Sequence, residues 1–318
     1  MQLANIKNVS VIGAGTMGHG ISLTYAWGGY QVVLYDISEM ILNNAVNHIR
    51  DDLKALADEG LISPDSIGEI LSRITTTTDL ERAAKEADFV TEAVIENIET
   101  KRKIFGDLDI FCPPHTILAS NTSSLVLHDF TDQIKRKDKV IITHWINPPH
   151  LVPVIEVVCG KETSNETAEL AYSLLQKIRK VPVKVRKEIP GLIINRIQFA
   201  LLREVWTLWQ QGIASPEDID TVVKNGLGFR WAAIGPLETS DLGGLDIFCI
   251  IADRLFKVIS DAHEPPREFK EMVKAGKLGL KSGQGFFSYR VSSADKGQDK
   301  RVKERDKKHM QLLKLWYS

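Results

Sequence analysis

The stretch Val9-Ser-Val-Ile-Gly-Ala-Gly-Thr-Met-Gly18 constrains the fold of this chain more than any other. Val9, Val11 and Ile12 read as a short core strand, after which Gly13, Gly15 and Gly18 space out as G-x-G-x-x-G. A strand that turns at once into a helix needs one glycine for the tight turn. A second lets a pyrophosphate approach the backbone, and a third lets the helix pack closely on the sheet. The helix start offers unpaired N–H groups and a partial positive charge to phosphate, with Thr16 and Met17 completing the turn. A second apolar run, Val32-Val-Leu-Tyr35, ends in Asp36. A carboxylate there accepts hydrogen bonds from a ribose 2′-hydroxyl and repels a 2′-phosphate. The pattern predicts a site for NAD rather than NADP. Read more plainly, the same glycines only pack a helix against a strand.

Around this motif the chain alternates strand and helix patterns. Strands are expected over 7–12, 31–36, 88–94, 116–120 and 139–145. A long helical stretch from Glu39 to Arg73, broken at Gly60-Leu-Ile-Ser-Pro64, reads as a helical hairpin inserted between strands. Such alternation predicts an α/β fold, a parallel, doubly wound sheet. Val181-Pro-Val-Lys-Val185 reads as a last strand, and its proline suits an edge. After Pro190-Gly191 the apolar spacing becomes helical, and no convincing strand follows. The expected division is a dinucleotide-binding domain over 1–187, an all-α domain over 188–290 and a charged tail over 291–318. The apolar positions of the helical part fit either a dimer interface or its own core. The tail reads as a solvated, partly frayed helix whose end docks on the body. Acids interrupt its basic run, which disfavours nucleic acid as its target.

Totals narrow the classes further. A net charge of −1 over 318 residues gives no whole-chain attraction to nucleic acid or an anionic membrane. No apolar run has the length of a membrane span, and the first residues lack the basic start and apolar stretch of a secretory signal. Cys112, Cys159 and Cys249 are scattered, which speaks against a disulfide framework or a zinc site. A reducing, cytoplasmic setting is the simplest expectation.

A nicotinamide enzyme needs a base beside the hydroxyl it oxidises. His144 ends an apolar run, Asn147-Pro-Pro149 forces a turn, and a second run from Val152 to Val158 carries Glu156. If the chain folds back near residue 150, His144 and Glu156 face one another. A carboxylate so placed fixes the imidazole tautomer and stabilises the imidazolium. The plainer alternatives are a structural His–Glu pair or a glutamate on a solvated strand face. Ser123, in Ser120-Asn-Thr-Ser-Ser-Leu125, follows a strand and is either a helix cap or a polar group of the site. Asn195, early in the first helix of the second domain, either caps that helix or serves the site.

These pieces together resemble the L-3-hydroxyacyl-CoA dehydrogenase family over about residues 1 to 290. The matching motifs are Gly13-Ala-Gly-Thr-Met-Gly18, Glu92-Ala-Val-Ile-Glu-Asn97, Ser120-Asn-Thr-Ser-Ser-Leu125, His144-x-x-Asn-Pro148, Pro190-Gly-x-x-x-Asn-Arg196 and Lys281-Ser-Gly-Gln-Gly-Phe286. The resemblance implies a Rossmann-type first domain, NAD as cofactor, and a homodimer formed by the helical domain. It implies a catalytic His144 supported by Glu156, with Ser123 and Asn195 on the substrate oxygen. It also implies cofactor contacts from Glu96, Lys101, Asn147 and Lys281. The implied reaction is oxidation of a 3-hydroxyacyl-CoA, such as 3-hydroxybutyryl-CoA, in fatty acid metabolism.

Two features depart from the acyl-CoA pattern. Members that use CoA carry polar or basic residues on the hairpin, where they meet CoA phosphates. The matching positions here are acidic: Asp51, Asp52, Asp58 and Glu59. The run from Gly226 to Thr239, with Asn147-Pro-Pro149, is similar to the branch containing L-gulonate 3-dehydrogenase, lambda-crystallin and carnitine dehydrogenase. Within it Arg230 is suited to clamp a free carboxylate, or is simply a surface arginine. A free 3-hydroxy acid is therefore the second expected substrate. A non-catalytic, crystallin-like protein is the reading from another class. The intact set of Ser123, His144, Glu156 and Asn195 speaks against it.

Overall fold

The computed structural model describes residues 2–289 and 300–317, so the first part of the expected tail lies outside the described residues. The strands are β1 (Asn8–Ile12), β2 (Gln31–Tyr35), β3 (Ile74–Thr77), β4 (Phe89–Glu92), β5 (Ile117–Ser120), β6 (Val140–Trp145), β7 (Val154–Cys159) and β8 (Val181–Val185). They form one sheet in the order β3-β2-β1-β4-β5-β6-β7-β8. From β3 across to β6 all pairs are parallel. The β6–β7 pair is antiparallel, and β8 runs parallel to β7. The wholly parallel expectation is therefore corrected at one end. A parallel crossover needs a dozen or so residues, and the link from Trp145 to Val154 is too short for one. Strand β3 is a further addition. Its Ile-Thr-Thr-Thr run is β-branched enough for an edge strand but too short to show apolar alternation.

Central strands are mostly apolar and almost wholly buried because helices cover both faces. Val9 and Val11 pack on one side, with α1 (Gly18–Trp27), α2 (Glu39–Asp58), α3 (Ser66–Ser72) and α7 (Asn165–Lys177). Ile12, Val90, Leu118 and Ile142 pack on the other, with α4 (Leu80–Ala84), α5 (Ile98–Phe111) and α6 (Leu127–Thr131). Helix α2 and α3 form the inserted hairpin, turned at Gly60 in the left-handed region. Asn97 and Ser164 cap α5 and α7 through their side-chain oxygens.

The chain divides into two compact units. One runs to Ile193 and takes in the chain again from Glu304, and the other spans Ile194–Lys303. The second holds most of α8 (Leu192–Gln210), then α9 (Pro216–Val222), α10 (Phe229–Trp231), α11 (Pro236–Gly243), α12 (Leu245–Leu255) and α13 (Arg267–Lys274). Ser215 caps α9 by accepting from the Asp218 amide. An aromatic stack anchors this unit, with the Trp206 and Phe269 rings 4.8 Å apart. The last helix, α14 (Lys300–Tyr317), belongs from Glu304 onward to the first unit. Its Met310 and Leu313 are buried in the cluster that holds Ile49, Leu53 and Leu56 of α2. Among the described residues no helix is long and apolar enough to cross a membrane.

The glycine turn offers a clean test of this packing. A Cβ at Gly18 would sit 1.7 Å from the Gly13 carbonyl oxygen, a backbone atom that no rotamer change can move. A Cβ at Gly15 meets nothing within 4 Å. Gly18→Ala should lower unfolding stability by about 1–3 kcal/mol or more, as overpacking does. Gly15→Ala should unfold at nearly the wild-type urea midpoint yet bind NADH more weakly, because the open space is where a pyrophosphate approaches. Equal stability losses in the two variants would contradict this reading of the turn.

Candidate active site

In the β6–β7 register His144 stands directly opposite Glu156. Both are almost fully buried, at 4% and 2% exposure, so neither can rely on water for hydrogen bonding. His144 Nδ1 lies 2.8 Å from Glu156 Oε2. A carboxylate only accepts, so Nδ1 carries the hydrogen and Nε2 holds the lone pair. The other carboxylate oxygen, Oε1, accepts from the Ile193 amide at 2.7 Å. That amide belongs to the first turn of α8, whose N–H groups have no partners within the helix. Leu192 just before it is held at φ 52°, a left-handed conformation that aims the turn at Glu156. Glu156 is thus fixed from both sides, and the imidazole with it.

Further groups hold the loop between the two strands, and sequence patterns did not point to them. Asn121 Oδ1 accepts from the Trp145 amide at 2.8 Å, tying the end of β5 to the residue after His144. Lys180, at the head of β8, donates from Nζ to the Pro149 and Val152 carbonyls at 2.6 and 3.0 Å. Burial pushes its ammonium down to about 7. Asn147 is exposed on this loop and precedes a cis peptide to Pro148.

Beside β4 and β5 lies a buried charge cluster. Lys101 Nζ is 2.8 Å from each oxygen of Glu92 and 3.2 Å from Glu96 Oε2. Lys101 and Glu92 are essentially without solvent exposure. An ammonium has three N–H bonds, and these carboxylate oxygens account for all of them. Lys101, expected at the cofactor, is thus held in place by Glu92 and Glu96. Glu96 is half-exposed at the cluster edge. Its Oε1 accepts from the Thr122 hydroxyl at 2.5 Å, the Ser124 hydroxyl at 2.9 Å, and the amides of Ser123 and Ser124, both at 3.1 Å. Burial pushes the Glu96 carboxyl up. The Thr122 and Ser124 hydrogen bonds and the Lys101 charge outweigh this and hold it below the usual range. Glu96 thereby fixes the turn carrying Ser123. Ser123 is not a helix cap, since α6 starts only at Leu127 with Val126 before it.

At the glycine turn Gly13 adopts φ 104°, and a Cβ there would strike the Ala93 carbonyl. Asp36 stands at the end of β2, where its carboxylate accepts from the Ala14 amide at 2.9 Å and the Ser38 amide at 3.3 Å. Asp36 thus stands beside the glycine turn, and the open space at Gly15 together with the start of α1 fits the pyrophosphate of NAD. The remaining expected site residues, Asn195, Arg230 and Lys281, fall in the second unit. Asn195 lies inside the first turn of α8, which begins at Leu192, so it is not that helix's N-cap. Arg230 is exposed on α10, and Lys281 is exposed in a turn.

The charge cluster makes a testable energetic claim. Lys101→Met strands two carboxylates, one fully buried, and should cost about 3–5 kcal/mol in urea unfolding. Adding Glu92→Gln should recover part of that loss, because the buried charge is then gone. Additive losses in the double variant would refute the coupling.

Comparison with known proteins follows this geometry. Residues 8–189 match the model of the 3-hydroxyacyl-CoA dehydrogenase NAD-binding domain, and residues 191–289 that of its C-terminal domain. The chain is 36% identical over 284 residues to 5-formyl-3-hydroxy-2-methylpyridine 4-carboxylate 5-dehydrogenase of Mesorhizobium japonicum, covering 89% of this chain and 91% of that one. It is 37% identical over 285 residues to a probable 3-hydroxybutyryl-CoA dehydrogenase of Bacillus subtilis, covering 89% and 98%. A lambda-crystallin homolog of Rattus norvegicus is 38% identical over 265 residues, covering 82% and 83%. Among solved structures, that of the pyridine carboxylate dehydrogenase, described as an NAD+-dependent dismutase, superposes with a TM-score of 0.88 at 33% identity, covering 98% of each chain. (S)-3-hydroxybutyryl-CoA dehydrogenase of Ralstonia eutropha superposes with 0.73 at 33% identity, covering 90% and 100%. The chain belongs to the 3-hydroxyacyl-CoA dehydrogenase family, NAD-dependent oxidoreductases acting on CH–OH groups.

Proposed function

We propose that the chain oxidises a 3-hydroxyacyl substrate to the 3-ketoacyl product, with His144 as the base. The buried His144–Glu156 pair carries this reading, since it leaves Nε2 as the nitrogen that takes a proton. His144 Nε2 removes the hydroxyl proton as the carbonyl forms. Glu156 stabilises the imidazolium that results. Ser123 and Asn195 hold the substrate oxygen and the charge that develops on it. NAD, when bound, would supply the acceptor for the hydride that leaves C3. Gly13, Gly15, Thr16, Met17 and Gly18 hold its pyrophosphate, and Asp36 its ribose. Glu96, Asn147 and Lys281 line the remaining contacts, with Lys101 acting through Glu96.

The acyl carrier has two readings. The first is a CoA thioester, supported by the relatives named 3-hydroxybutyryl-CoA dehydrogenase. The second is a free hydroxy acid, supported by the relative named for a pyridine carboxylate and by the acidic hairpin, whose Glu59 is engaged by α14. In the second reading Arg230 clamps the carboxylate. We also propose a homodimer through the helical unit, where Ile247, Ile250, Ile251 and Leu255 leave an apolar face of α12 about half-exposed.

His144→Gln should lower turnover about 100-fold or more while leaving NADH binding, read by fluorescence, nearly unchanged. Near-normal turnover would remove His144 from the mechanism. Asp36→Ala should reduce a preference for NAD over NADP in kcat/KM, and equal wild-type efficiencies with the two would exclude its role. On a free acid, Arg230→Ala should raise KM about 10- to 100-fold, whereas on a thioester it should change little. Sedimentation should report a dimer that Ile250→Glu dissociates, and a monomeric wild type would refute the interface.

A further inference from the structure

We propose that α14 is a cover over the acidic face of the hairpin that closes it to phosphate-bearing thioesters such as CoA, so that the enzyme selects free hydroxy acids. This rests on the oxidoreductase reading above and deepens its substrate class. The hairpin adjoins the loop that follows His144. His150 Nδ1 on that loop and His19 Nε2 on α1 each lie 3.8 Å from Asp52 Oδ2 on α2. Asp52 and Glu59 are seven residues apart, two helical turns, so they lie along one side of α2 and its end. Leading away from the loop after His144, Asp52 and then Glu59 stand in turn along α2.

Helix α14 already occupies that side. Met310 and Leu313 are buried in the same core cluster as Ile49, Leu53 and Leu56 of α2, so the helix is anchored by burial as well as by charge. On either side of Met310, Lys307 and Lys314 each approach Glu59 to 3.7 Å. The lysines that face the hairpin are thus matched to a carboxylate of this chain. Burial, with the charges of Asp306 and Asp51 beside it, raises the Asp52 carboxyl to about 7. A phosphate arriving here would have to displace the helix and then face Glu59. A small hydroxy acid, with no arm beyond its carboxylate, would not reach this face.

A charge exchange tests the cover without removing buried residues. CoA alone is titrated calorimetrically into the NADH-loaded enzyme, and exchange of the amides of residues 304–317 reports helix docking. The wild type should show no binding at millimolar CoA. Glu59→Lys places like charges against Lys307 and Lys314, so it should speed α14 exchange and bind CoA at least tenfold more tightly. Adding Lys307→Glu and Lys314→Glu should restore both the slow exchange and the lack of binding. NADH affinity should stay constant throughout, as the measure of an intact first unit. The proposal is overturned if the wild type binds CoA, if Glu59→Lys gains no binding, if it gains binding with α14 still protected, or if the triple variant binds as Glu59→Lys does. Turnover of 3-hydroxybutyrate and of 3-hydroxybutyryl-CoA by the wild type tests the oxidoreductase reading separately. Activity on neither compound would count against that reading and leave the binding result to judge the cover.

Discussion

A buried imidazole and a buried carboxylate each need the other, and the register of one antiparallel strand pair supplies that need. His144 and Glu156 sit opposite one another on β6 and β7, in a layer from which water is excluded. A slip of β7 by one residue would turn Glu156 to the opposite face of the sheet from His144 and leave two costly polar groups unpaired in apolar packing. The register is therefore tied to the chemistry. Asn121, Lys180 and the first turn of α8 reinforce it through hydrogen bonds to the Trp145 amide, the loop carbonyls and Glu156. The reversal of β7 at the end of a parallel sheet is the price of bringing these two residues together within twelve positions of sequence.

The second buried charge system has a different task. Lys101 and Glu92 lie in the core, and Glu96 extends the network to the exposed turn that carries Ser123. Buried ion pairs contribute little net stability, but they are expensive to leave half-made. That asymmetry makes them suitable for holding a loop in one arrangement. With Lys101 committed to carboxylates, Glu96 is left as the group of this cluster that presents acceptor oxygens near the glycine turn. Its low proton affinity keeps it ionised.

The proposed basis of substrate choice lies on another part of the molecule. Catalytic pairs and glycine turns are compatible with many acyl carriers, whereas the hairpin and the last helix present a surface of definite charge. Fold likeness to a pyridine carboxylate dehydrogenase and to CoA-dependent relatives shows how one scaffold accommodates both.

Local pattern in the sequence determined the strand–glycine–helix unit, the acid at the end of β2, the central strands and the helical character of the second unit. Each depends on residues within a few positions of one another, so periodicity and turn chemistry carry the information. His144 and Glu156 were also legible, because a proline turn placed midway between them dictates that they meet. Tertiary structure alone decided that β3 joins the sheet edge, that Lys101 is held by Glu92 and Glu96, and that Asn195 lies within a helix instead of capping it. It also decided that Met310 and Leu313 of the last helix enter the core of the first unit. These outcomes depend on which distant surfaces meet, through burial and charge pairing. No window of neighbouring residues encodes that meeting.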